Sequence, residues 1–349
     1  MTALLSQISV VFLYVAMAAY AGAFVAFAVD VSGRTRKVRE AREATPSAVS
    51  RRAEATRASV AGASGSRAEG ASGGGPTRTA TMTKTADDVA EHIGTVNVSR
   101  VQSAAMLLTT VGLGLQIVAD VLRGIAADRV PWSNMYEFSL TGTILIVAAF
   151  LVMAKMFNIR FLGTFVVGLV LVLLGISVTR YYVAVVPLPP ALQSYWLVIH
   201  VLVAMLGTGF FALGFALSVA QLLQLRRATQ IKRKQRPQFA FLATMPGANV
   251  LENLAYRVNI IGFILWTFTL IAGSIWAEKA WGKYWGWDTK EVWTFIIWVL
   301  YAGFIHARAT RGWRGSRSAW LSIIGFAAVM FNFGIVNVFF HGLHSYSGL

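Results

Sequence analysis

Five histidines and no cysteine limit the chemistry open to this chain of 349 residues. His200, His306, His341 and His344 fall in or beside apolar segments; His92 lies apart, in a polar stretch. Between two of the apolar segments stands the run Trp281-Gly-Lys-Tyr284-Trp285-Gly-Trp287-Asp288-Thr-Lys-Glu291-Val-Trp293. Its glycines let large flat side chains approach a ligand without backbone obstruction, and such side chains suit a planar, apolar molecule. With no thiol of its own, the chain has no disulfide, thiolate ligand or redox cysteine, so any thiol in the chemistry comes from a partner or substrate.

Imidazole is a common axial ligand to haem iron. Two imidazoles on one iron approach from opposite faces, with nitrogens about 4 Å apart if each bond is ~2 Å, as in other metal–imidazole bonds. His341 and His344 are three residues apart and would point the same way on a helix, so they do not share an iron. The pairing must be between helices, and His200 with His344 is the best choice. Zinc is the rival metal; without cysteine, and with only Glu278, Asp288 and Glu291 nearby, it would need a sparse His/carboxylate set. The rival reading of the tryptophans is an interfacial belt, which accounts for Trp132, Trp196 and Trp276 singly but poorly for the dense run. A helix–helix hydrogen bond is the ordinary role of each histidine, although polar groups inside membrane spans are costly and tend to mark function.

The elements that position these residues are membrane helices. The chain is 56% hydrophobic and 13% charged, with mean hydropathy +0.60. Continuous apolar runs long enough to cross a bilayer recur at roughly 4–29, 101–125, 137–157, 161–182, 196–224, 258–277, 292–309 and 319–341. They do not alternate, which excludes a β-barrel. The first run is too long for a signal-peptide core and is read as a retained span. His306 lies about 13 residues into the seventh span, or about 20 Å deep at 1.5 Å per residue, in the inner half of the bilayer. The fold expected is an all-α integral membrane protein of about eight transmembrane helices: a tethered N-terminal helix (1–30), a disordered basic linker (31–98), and a compact bundle of about seven helices (99–349).

The net charge of +16 is distributed as the positive-inside rule expects, which argues against nucleic acid as its cause. Basic clusters follow the first span (Arg34, Arg36, Lys37, Arg39, Arg42), the fifth (Arg226, Arg227, Lys232, Arg233, Lys234, Arg236) and the seventh (Arg308, Arg311, Arg314, Arg317). The linker is then cytoplasmic and the N-terminus outside. Four connections fall together on the outer face: Asp128–Glu137, the Pro187–Pro190 loop, the tryptophan-rich stretch (276–293), and Gly342-Leu-His344-Ser-Tyr346. The linker's Ser-, Gly- and Thr-rich composition cannot bury enough apolar surface to order itself.

The run from Trp281 through Asp288 to Trp293 resembles the WWD signature of haem-handling membrane proteins. That superfamily includes the CcsA proteins (also ResC, or CcsB in some bacterial naming) of system II cytochrome c assembly and the CcmC and CcmF proteins of system I. Three further segments are similar to the CcsA type: Pro131-Trp-Ser-Asn134-Met-Tyr136-Glu137, Pro190-Ala-Leu-Gln-Ser194-Tyr-Trp-Leu-Val-Ile-His200, and Gly342-Leu-His344-Ser-Tyr346. The four occur in family order over residues 101–349. The N-terminal helix and linker lie outside the resemblance, and His341 departs from the family pattern.

The resemblance implies that His200 and His344 are the external axial ligands of haem b, beside a platform of Trp281, Tyr284, Trp285, Trp287 and Asp288. It implies that His306 is a buried haem ligand on the export path, completed by a CcsB/ResB-type partner. The implied activity is haem export and presentation on the outer face of the cell membrane for thioether attachment to Cys-x-x-Cys-His of apocytochrome c. The chain would be a subunit of a holocytochrome c synthase (haem lyase), with a thiol-reducing, thioredoxin-like protein as a further partner. The alternatives are a haem exporter or chaperone without ligase activity, and a small-molecule transporter with a tryptophan-lined gate.

Overall fold

A computed structural model describes residues 2–62, 99–157, 159–185, 192–310, 313–340 and 342–344, with side chains described from residue 99 onward and for 2–40. Among these residues there is no strand, and eight helices are long and apolar enough to cross a membrane. Helices satisfy every backbone polar group internally, the condition for crossing lipid. They are α1 (Thr2–Gly62), α2 (Arg100–Ala127), α3 (Met135–Met156), α4 (Gly163–Arg180), α5 (Tyr195–Lys232), α6 (Ala248–Trp281), α7 (Thr289–Ala309) and α8 (Ser316–Phe331). A π-helical segment, Asn332–Val336, and a last turn, Asn337–Phe339, prolong α8. This is the all-α membrane architecture expected from the apolar runs.

The described chain forms two compact units. One comprises Met1–Val29, Ser99–Gln238 and Gly247–Leu349; the other comprises Asp30–Val98 and Phe239–Pro246. In the second, α1 continues as helix through Gly62, and Arg34 pairs with Asp30 at 2.9 Å. The first part of the segment expected as a linker, residues 31–62, is thus helical. No glycine occurs between Gly33 and Gly62, and Arg, Ala and Glu, all strong helix formers, dominate that stretch. Residues 63–98, the rest of the expected linker, lie outside the described residues.

In the first unit the start of α1 is more than tethered. Ser9 donates to the Ala119 carbonyl at 2.7 Å, and the Tyr20 hydroxyl donates to Gln116 Oε1 at 2.8 Å. The Gln116 amide in turn donates to the Leu140 carbonyl and to Thr143 Oγ1, so one fully buried glutamine joins α1, α2 and α3. Each such hydrogen bond inside a membrane is worth about 0.6 kcal/mol on average, so the gain is as much in register as in stability.

Helix ends are set by local chemistry. Ser99, Asn134 and Ser194 cap α2, α3 and α5 with their side chains, and Gly282, at φ 70°, ends α6 in the left-handed region. The α2–α3 loop is fastened by Glu137, 0% exposed, which accepts from Arg123 Nε at 3.1 Å, from Arg129 Nη1 at 2.7 Å and from the Ser133 amide at 3.0 Å. Trp132 Nε1 donates to Thr141 Oγ1, which donates to Asp120 Oδ2, each at 2.9 Å. The loop therefore holds Trp132 in a fixed place beside the site.

Candidate functional site

The start of α7 is built as a capping box. Asp288 caps the helix through the Lys290 amide, and Glu291 Oε2 reaches back to the amides of Asp288 (3.1 Å) and Gly286 (2.8 Å). Asp288 does more than cap. Its Oδ1 accepts from the Leu343 amide at 3.0 Å, and its Oδ2 lies 2.8 Å from His344 Nδ1. A Cβ at residue 342 would collide with Asp288 Oδ1, so this approach requires Gly342. Hydrogen bonding from His344 holds the Asp288 carboxyl below the usual carboxylate range, against an upward push from partial burial.

His200 is tied in the same way from another direction. Its Nδ1 lies 3.0 Å from the Thr269 carbonyl on α6. A carbonyl only accepts, so Nδ1 carries the proton and Nε2 keeps its lone pair. The Asp288 carboxylate imposes the same tautomer on neutral His344. Gly273 is required here too, because a Cβ there would stand 2.7 Å from His200 Cε1. Two imidazoles are thus held by Nδ1, each leaving Nε2 for a metal, the arrangement that orients metal-binding histidines generally.

Both histidines line a cavity of about 230 Å³ at the end of the bundle that carries the tryptophan-rich loop. Trp276, 2% exposed, touches both: it stacks on His200 with centroids 5.8 Å apart and planes 14° apart, and meets His344 edge-on at 5.4 Å. Trp281 also meets His344 edge-on, at 4.8 Å. Trp132, Tyr284, Trp285 and Phe333 add aromatic surface to the cavity wall. The π-helical segment places Asn332 on the same wall, buried, with no hydrogen-bond partner for its Oδ1. Such a bulge near a helix end is a frequent device for re-aiming side chains at a site.

The residues singled out in the sequence separate into groups. His200, His344, Tyr284 and Trp285 line the cavity; Trp281 braces His344; Asp288 has both oxygens engaged by the chain and touches His344 rather than the main cavity. Trp287 is 78% exposed and lines neither described pocket. His306, expected as a ligand deep in the bilayer and completed by a partner, has its side chain on the outward stripe of α7 with Phe295, Val299 and Gly303. His341, the Pro187–Pro190 loop and His92 lie outside the described residues. Among the described residues no group of three or more His, Asp or Glu could hold a metal ion.

Sequence reasoning missed Trp276, taken singly for an interfacial belt residue, and also Lys290, Asn332 and Asn337. The capping box of Asp288 and Glu291 was legible as an Asp-x-x-Glu before an apolar run, whereas the Thr269 carbonyl carries no side-chain signal.

The bundle and cavity define a multi-pass membrane protein that presents paired imidazoles on an aromatic wall. A family described as cytochrome C assembly protein matches residues 132–344. The chain is 35% identical over 263 residues to the cytochrome c biogenesis protein CcsA of Guillardia theta, covering 68% of this chain and 86% of that protein. It is 34% identical over 295 residues to the CcsA of Gloeobacter violaceus, covering 71% and 85%. The chain belongs to the cytochrome c assembly protein family and is of the CcsA type; its role is in cytochrome c biogenesis.

Proposed function

We propose that this chain carries haem b across the cell membrane and presents it, with a CcsB/ResB-type partner, for thioether attachment to Cys-x-x-Cys-His of apocytochrome c. The observation that carries the reading is the pair His200 and His344, each anchored by Nδ1 and each offering Nε2 at one aromatic cavity. The residues fit such a cargo. The wall is mainly apolar and aromatic, and the buried Asn332 Oδ1 lacks a partner that a polar edge of a ligand could supply.

In this reading haem is the substrate. His200 and His344 hold its iron, and the aromatic wall with Trp281 behind His344 fixes the ring's place. Each substrate thiol adds across a vinyl group: sulfur bonds to one vinyl carbon, the thiol hydrogen goes to the other, and no electrons are gained or lost overall. This chain's share is binding and orientation, consistent with its lack of cysteine. The histidine of the substrate motif then displaces one of the two protein imidazoles. A thioredoxin-like protein keeps the substrate thiols reduced.

His306 fits a second, partner-completed haem position. It stands in a helix's lipid-length span yet faces outward in a row with Phe295 and Val299. A polar side chain there is costly in lipid and is relieved when a neighbouring protein covers it. The charge distribution supports an outside tryptophan-rich loop and a cytoplasmic segment after the first span. Domain limits follow as an N-terminal span (1–30), a connecting segment (31–98) and the haem-handling domain (99–349).

Co-expression of the chain with its partner and an apocytochrome tests the reading. Covalent haem in the product, lost in His344→Ala and restored by added imidazole, is the expected result. Unchanged cytochrome c maturation in that variant sinks the assignment, and extractable haem without covalent product marks a carrier with no ligase activity.

A further inference from the structure

We propose that Lys290 and Asn337 form a carboxylate-binding corner of the cavity that takes one propionate of the haem. The proposal rests on the haem reading given above and assigns a contact on the ring's acidic edge rather than at the iron.

Lys290, Asn337 and His344 are the residues shared between the main cavity and a small adjoining pocket. The candidate cation and an iron ligand therefore border the same space, as the iron and a propionate of one haem must. Among the described residues that line the main cavity, Lys290 is the only lysine or arginine. Half-buried rather than reaching solvent, it donates through Nζ to Asn337 Oδ1.

Three of the four oxygens of the neighbouring carboxylates Asp288 and Glu291 are engaged within the chain. Asp288 serves His344, the Leu343 amide and the Lys290 amide, and Glu291 Oε2 serves the amides of Gly286 and Asp288. Among the described residues Lys290 forms no ion pair. The Asp288 charge acts on Lys290 without a direct ion pair, and a cation buried against an apolar wall remains costly unless an anion arrives with the ligand.

The donors suit a carboxylate. An ammonium has three N–H bonds, and Asn337 accepts only one. Because its Oδ1 accepts from Lys290, the Asn337 amide points its Nδ2 the other way, where it has no acceptor among the described residues. The π-helical turn Asn332–Val336, which immediately precedes Asn337, sets the register that brings this residue to Lys290. A lysine serving only to reach the interface would extend its ammonium into water, whereas this one turns back onto α8.

The test titrates the full chain, purified with its partner, with haem and with haem dimethyl ester, whose propionates carry no charge. The readout is the absorbance of imidazole-ligated haem. Wild type is expected to favour the free acid by roughly 10-fold or more, the value of a charge-assisted hydrogen bond. Lys290→Met is expected to bring the two ligands level, and Lys290→Arg to keep a preference. A wild type that does not discriminate, or a Lys290→Met protein that discriminates fully, overturns the proposal. If Lys290→Met takes up neither ligand, Asn337→Leu carries the comparison: a reduced preference supports the corner and an undiminished one overturns it. Failure of the underlying haem reading looks different, because wild type then gives no imidazole-ligated spectrum with either porphyrin.

Discussion

Asp288 and His344, 56 residues apart in the chain, are joined by a 2.8 Å hydrogen bond from Nδ1 to Oδ2. The same carboxylate caps α7 and accepts the Leu343 amide, so one side chain fixes where a helix begins and which way an imidazole faces. In the proposed reading the aspartate of the tryptophan-rich run would be a positioning residue, reaching a ligand only through His344.

Removing Asp288 therefore has two separable effects. Asp288→Ala is expected to lower haem affinity about 10- to 100-fold, as loss of an imidazole's orienting partner does, and to cost about 1 kcal/mol from the lost cap. Asp288→Asn keeps an equally good cap, so its Tm should stay near wild type while the weaker, uncharged acceptor still lowers affinity. Haem titration and thermal unfolding of the two variants check this; wild-type affinity in Asp288→Ala would remove the residue from the site.

The pH dependence has a defined sign. The folded Asp288 pKa is depressed, chiefly by the His344 hydrogen bond, so the pair's stabilisation is fully present above the ordinary carboxylate pKa of about 4. It declines as pH falls from that value toward the lower folded one. The Tm difference between wild type and Asp288→Ala should thus shrink as pH falls below about 4. A difference that does not shrink below about pH 4 contradicts the assignment.

Gly273 gives a steric test of the other histidine. A methyl group there would stand 2.7 Å from His200 Cε1, closer than real side chains approach, so His200 must leave the Thr269 carbonyl. Gly273→Ala is expected to fold, with its helix intact, and to weaken imidazole-ligated haem about 10-fold through lost orientation. Circular dichroism and the haem spectrum measure the two outcomes.

How much of this was legible follows from where the physics is local. The eight spans could be read from unbroken apolar length, because crossing lipid demands it. His200 and His344 were legible as polar residues at the ends of separate helices. Trp276 was not, since a single tryptophan at a helix end looks the same whether it faces headgroups or two imidazoles. Neither the Thr269 carbonyl nor the π-helical turn that brings Asn337 to Lys290 leaves a compositional mark. Depth along a helix says nothing about which face a residue occupies, so the outward face of His306 was not legible.

Glu137 holds the α2–α3 loop with two guanidinium partners, Arg123 at 1% and Arg129 at 8% exposure. Glu137→Gln leaves both cations without their counter-charge in a nearly dry site, at a cost of roughly 3–5 kcal/mol. A lower Tm in detergent and displacement of Trp132 from the cavity wall are expected. Simultaneous Arg123→Met should recover part of the loss; a Glu137→Gln protein as stable as wild type would show that the loop is held otherwise.

Trp287 separates the two parts of the tryptophan-rich loop. It is 78% exposed at φ 57°, a left-handed conformation that costs a side-chain-bearing residue about 1–2 kcal/mol. Replacement by glycine removes that strain but adds roughly 0.5–1 kcal/mol of unfolded-state entropy, so stability should stay level or rise despite the loss of a large aromatic. Because Trp287 lines neither described pocket, haem affinity in Trp287→Gly should match wild type. Trp285→Gly, which opens the cavity wall itself, should weaken it. Equal losses in the two variants would mean that the loop closes over the haem as one surface, and that Trp287 turns inward when the cargo is present.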